Sequence, residues 1–167
     1  YFGRNYWLET HGHTIKQSSV KADAQLQKLL AIGERTETAH YAISSTATPE
    51  QTALVSSAVE SLYTAYGEVF KDRIGNNKKP AKLKLMLYKD RKEFSVYNQS
   101  SAWAEAYYRE PVCHAYYSDG QPNPYHWMIH EVTHQLNNEL AHFKIPQWIN
   151  EGLATYFGTS KIEHGVL

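Results

Sequence analysis

The chain has 167 residues, the length of one ordinary domain, and can bury a core without disulfide staples. Seventeen Lys and Arg balance seventeen Asp and Glu, which excludes a nucleic-acid binder working by broad basic attraction and excludes an acidic tail. The single cysteine, Cys113, excludes an internal disulfide and a cysteine-rich zinc site, and no apolar run is long enough to span a membrane.

Residues 1–18 are aromatic and polar without a clear period. Ala22, Leu26, Leu29 and Leu30 then have helical spacing up to Gly33. Thr38 to Ser45 alternates, with Ala39, Tyr41 and Ile43 on one side, and reads as a strand. Pro49 opens a long helix. Its stripe is Leu54, Val55, Ala58, Val59, Leu62, Tyr63, Tyr66, Val69 and Phe70. Gly75-Asn76-Asn77 breaks it. Lys82 to Tyr88 is a half-buried strand with Leu83, Leu85 and Leu87 inward. A short helix follows Asp90, with Phe94 and Tyr97 inward.

Residues 105–117 carry two aromatic runs around Pro111 and read as a β-hairpin. Ser118 to Pro124 is a loop by composition. Helices over about 124–142 and 146–158 close the pattern. Pro146 takes a favoured first-turn position and Gly158 a favoured stop. The expected fold class is α+β: a small mixed sheet with an edge hairpin, packed with helices, in one domain over residues 1–167 that is either whole or a piece of a longer protein.

Nine His and thirteen Tyr are the residues in excess. Most of the histidines show no metal spacing with one another. His130-Glu131-Val132-Thr133-His134 is different, because it matches H-E-x-x-H. Residues i and i+4 lie one above the other on a helix, so two imidazoles can grip one metal ion. The Glu between them can accept a proton from a water at the metal's open position. On the same helix Tyr125, Ile129, Val132, Leu136, Leu140 and Phe143 form a separate core face. The bland alternative is two histidines on an amphipathic helix. A catalytic zinc needs three protein ligands and an open position. Glu151, one turn into the next helix, is a candidate third ligand. Beside it Gly152 allows close approach of another segment. Trp148, Ile149, Leu153 and Tyr156 or Phe157 are expected to pack inward.

H-E-x-x-H followed by a helix with Asn150-Glu151-Gly152-Leu153-Ala154-Thr155-Tyr156 resembles the gluzincin superfamily of zinc peptidases. More narrowly, it resembles peptidase-MA-like domains with a Pro-x-Trp-x-x-Glu-Gly-Leu-Ala signature. The tight match covers residues 126–157. The resemblance implies that His130, His134 and Glu151 bind Zn2+ and that Glu131 is the general base of peptide hydrolysis. The metzincin pattern does not fit, since Asn137 and Leu140 stand where it needs Gly and His. The chain departs from thermolysin-like members at Thr155, where they carry an Asp that orients a zinc-bound His. Asn137, Asn138 or a backbone carbonyl would have to serve instead. For the oxyanion the candidates are Tyr116, Tyr117, Tyr156 and His164.

The expected partner is a peptide or protein substrate, with no nucleic acid and an open oligomeric state. Strand Val112–Tyr117, upstream of the metal helix, is the candidate for pairing with extended substrate. An extracytoplasmic or secreted location is preferred. The alternative function is a zinc-binding, non-hydrolysing interaction module of a larger protein.

Overall fold

Two alternating apolar segments form the centre of a sheet. In the computed structural model, residues 33–74 and 81–162 are described, with Ala24, Gln27, Lys28 and Ala31. These four are helical and exposed. The other residues of that expected helix, before its stop at Gly33, lie outside the described residues, as do Gly75-Asn76-Asn77. The chain divides into two units, Tyr1–Ile32 and Gly33–Leu167, and the sheet and the four helices packed on it belong to the second.

Strand β1 is Glu34–Glu37 and β2 is Tyr41–Ser45. The sequence suggested one strand from Thr38. Instead residues 38–40 form the reversal between two antiparallel strands, tied by Thr38 N–H to Tyr41 O at 2.9 Å. Strand β1 reads Glu-Arg-Thr-Glu and is mostly exposed, so no apolar alternation marks it. Charge on such an edge discourages pairing with another chain.

Helix α1 spans Pro49–Val69. Thr48 caps it: its hydroxyl accepts from Gln51 N–H at 3.2 Å, and Gln51 Oε1 accepts from Thr48 N–H at 3.1 Å. Val55, Ala58, Val59, Leu62 and Tyr66 of the expected stripe are buried. Tyr63 and Phe70 pack at its border, whereas Leu54 and Val69 are exposed. The stripe is narrower than expected: α1 turns Val55, Ala58, Val59, Leu62 and Tyr66 toward β2 and the rest of the core, leaving Leu54 and Val69 to solvent.

Strand β3 is Leu83–Tyr88, parallel to β2 with Tyr41 opposite Leu83. Leu83, Leu85 and Leu87 point into the main core as expected. Met86 and Tyr88 are buried too, so the strand is covered on both faces. Helix α2, Arg91–Tyr97, provides that cover. Asp90 caps it by accepting from Glu93 N–H at 2.7 Å, and Phe94 meets Tyr88 edge-on at 5.5 Å.

The hairpin is β4, Ala106–Arg109, and β5, Val112–Tyr116. Strand β5 runs parallel to β3 and antiparallel to β4, and the sheet order is β1-β2-β3-β5-β4. The backbone of β5 is therefore paired on both sides. This overturns its candidacy for pairing with substrate; among the described residues the outer strands are β1 and β4.

Helix α3 is His126–Gln135, and it passes directly into a π-helical turn, Leu136–Leu140. Helix α4 is Gln147–Gly158 and packs along α3. The single helix expected over 124–142 is thus two segments. Over the described residues of Gly33–Leu167 the fold is α+β: a five-stranded mixed sheet packed with four helices. Among the described residues no helix is long and apolar enough to cross a membrane.

Candidate metal centre

Helix α3 sits over β5, and side chains fix it there. Cys113 Sγ on β5 donates to the Glu131 carbonyl at 3.3 Å. Gln135, fully buried, donates to the Pro111 carbonyl at 3.1 Å and to Glu139 Oε1 at 3.1 Å. Ile129, Val132 and Leu136 are buried, and Tyr125, Leu140 and Phe143 border the core, as the helical wheel requires. This leaves His130 and His134 together on the flank facing α4. Their rings are 5.0 Å apart at 80°.

Helix α4 brings Glu151 to them. Its Oε2 lies 3.4 Å from His130 Nε2 and 3.6 Å from His134 Nε2. Both separations exceed a good hydrogen bond. In a tetrahedral zinc site with bonds of about 2.1 Å, neighbouring ligand atoms are about 3.4 Å apart. The oxygen is nearly equidistant from both nitrogens. Among the described residues His130, His134 and Glu151 form a donor group whose ligand atoms all lie within 4.8 Å of one another. Two imidazoles and one carboxylate also suit a divalent transition metal chemically. The donor set could therefore hold such an ion.

Electrostatics point the same way. Burial holds the His130 pKa below the ordinary imidazole value, and a charge on His134 would lower it further; Glu151 opposes both. A neutral imidazole is the form that binds metal. Glu131 is half-buried on α3 between the two histidines in sequence.

Helices α3 and α4 approach closely at a glycine, though not the expected one. A Cβ on Gly152 would meet nothing within 4 Å. A Cβ on Gly158 would lie 3.3 Å from His130 Cβ. Gly158 reads in the sequence as a helix stop, which hides its packing role. One inward expectation fails, at Trp148, and of the pair Tyr156 or Phe157 it is Phe157 that packs inward. Trp148 and Tyr156 are exposed, while Ala154 and Phe157 face the core.

The expected imidazole orienters do other work. Asn137 accepts from Tyr66 and donates to Asn150, and Asn138 Nδ2 donates to Tyr108 at 3.1 Å. Thr155 is exposed. Of the oxyanion candidates, Tyr116 is buried and donates to Glu105. Tyr117 is half-buried against the core, and Tyr156 is exposed on the ligand helix.

The other described histidines make contacts away from this cluster. His114 is buried, within 3.0 Å of the Tyr88 hydroxyl through Nδ1, and stacked on Tyr107. His40 pairs with Glu60 at 2.6 Å, and His126 Nδ1 lies 3.1 Å from the Asn123 carbonyl. His142 closes the π-turn with φ of 50°. His11, His13 and His164 lie outside the described residues. No protein-family model matches the chain, and a search of curated proteins finds no match.

Proposed function

We propose that the chain is a zinc-dependent peptidase of the gluzincin type. The observation that carries this reading is the placement of Glu151 Oε2 at 3.4 and 3.6 Å from the paired imidazole nitrogens. His130 and His134 would hold the ion through Nε2, and Glu151 through Oε2. When bound, zinc would acidify a water and polarise the scissile carbonyl. Glu131 takes the proton of the attacking water and passes it to the leaving amine. The H-E-x-x-H order supports this role, because it sets Glu131 on the same helix as both imidazoles. Tyr156, exposed on the ligand helix, is the most accessible of the described oxyanion candidates.

The test is cleavage of a broad peptide library by the purified chain, with a chelator arm and a Glu131→Gln arm. The chain is expected to cut, and chelator is expected to abolish cutting. Glu131→Gln is expected to keep its zinc and lose at least about 100-fold in rate. Full activity in Glu131→Gln would remove Glu131 as the base. Zinc binding without any cleavage would leave a non-hydrolysing module.

A further inference from the structure

The three donor atoms come from two helices, so their spacing depends on how α4 is held against α3. Apolar contacts supply part of the hold: Ala154 and Phe157 are buried, and the Phe157 ring lies 5.7 Å from Tyr66. Such contacts tolerate sliding better than a directional bond does.

A directional bond is present. The π-turn closes i→i+5 backbone bonds, such as Ala141 N–H to Leu136 O, in place of the i→i+4 bonds of an α-helix. Within it lies Asn137, only 3% exposed, three residues beyond His134. The Tyr66 hydroxyl on α1 donates to Asn137 Oδ1 at 2.6 Å. Asn137 Nδ2 then donates to Asn150 Oδ1 at 2.7 Å, and Asn150 immediately precedes Glu151. The chain of bonds has one direction, since a buried tyrosine donates, an amide both accepts and donates, and the second amide oxygen accepts. Burial pushes the Tyr66 pKa up, so the hydroxyl keeps its proton. Neither a carboxylate nor an apolar group at position 137 could serve both neighbours. The link spans three helices and ends beside the third metal donor.

We infer that Asn137 is a positioning residue for Glu151: through Asn150 it sets the distance between the Glu151 carboxylate and the His130–His134 pair. This rests on the metal reading above.

The test uses the full chain and two readouts: zinc affinity by competition with a chromophoric chelator, and the visible absorption spectrum of the cobalt(II) form. The variants are Asn137→Ala, Asn150→Ala and, as a control elsewhere in the core, Leu85→Ala. Each is assayed at a temperature where melting curves show it folded. Asn150 is only half-buried, so its truncation keeps the test alive should Asn137→Ala fail to fold. Both asparagine variants are expected to bind zinc about 10- to 100-fold more weakly and to alter the cobalt spectrum. The double variant is expected to be no weaker than the worse single, because both break one link. Leu85→Ala is expected to keep wild-type affinity and spectrum. Unchanged affinity in Asn150→Ala, with a wild type that binds zinc, overturns the positioning role. An equal loss in Leu85→Ala also overturns it, since general loosening would then suffice. A wild type with no zinc affinity overturns the metal reading itself and removes this role with it.

Discussion

Gly158 on α4 faces His130 on α3 so closely that a single methyl group there would lie 3.3 Å from the histidine's Cβ. The neighbours of that methyl are helix backbone as well as side chain, with His130 Cα and His126 O both 3.6 Å away. Those two are ordinary contacts, but the His130 Cβ is carried rigidly on α3, so Gly158→Ala is expected to push α4 outward by a few tenths of an ångström and weaken zinc binding. The net stability loss is expected to be about 1–2 kcal/mol, since overpacking outweighs the better helix propensity of Ala. Gly152→Ala is the matched control. It meets open space and is expected to gain about 0.5–1 kcal/mol. Urea unfolding of both variants checks the opposite signs.

Tyr66→Phe removes the hydroxyl that donates to Asn137 Oδ1. The acceptor stays buried and loses its donor, which costs about 1–3 kcal/mol. Denaturant melts of the metal-free chain measure it. A change within about 0.3 kcal/mol would mean the bond contributes nothing to the fold.

His114 gives stability a dependence on pH. Burial, aided by the Arg109 charge, pushes its pKa down to about 3. The unfolded chain protonates this residue below about pH 6.5 and the folded chain does not. The unfolded state therefore binds more protons between these values, and stability falls as pH drops from about 6.5 toward 3. The loss from this residue between pH 6.5 and 5 is about 2 kcal/mol. His114→Gln is expected to flatten the curve by that amount in urea melts at pH 7 and pH 5. Parallel curves for variant and wild type would remove His114 as the cause.

The elements that the sequence revealed are those with a strong apolar period. The Val55–Tyr66 stripe, the Leu83–Leu87 alternation and the aromatic hairpin all fold as their patterns indicate. Strand β1 escaped because an exposed edge of Glu, Arg and Thr carries no such period. The π-turn escaped because Leu136 and Leu140 fit a continuous α-helix equally well. At the site, local spacing revealed His130 and His134, since i and i+4 are neighbours in any helix. The link from Tyr66 through Asn137 to Asn150 was not legible, because it joins residues 71 and 13 positions apart that only the tertiary fold brings together. The burial of Ala154 and Phe157 in place of Trp148 and Tyr156 has the same origin: the side on which α3 lies decides which face of α4 turns inward.

Stoichiometric zinc titration of the purified, metal-stripped chain, beside His130→Ala, tests the metal centre most directly. One zinc ion per chain is expected for the wild type, displaced by chelator, with none retained by a folded His130→Ala. A wild type that binds no zinc, or a His130→Ala variant that binds it equally well, would contradict a site built from His130, His134 and Glu151.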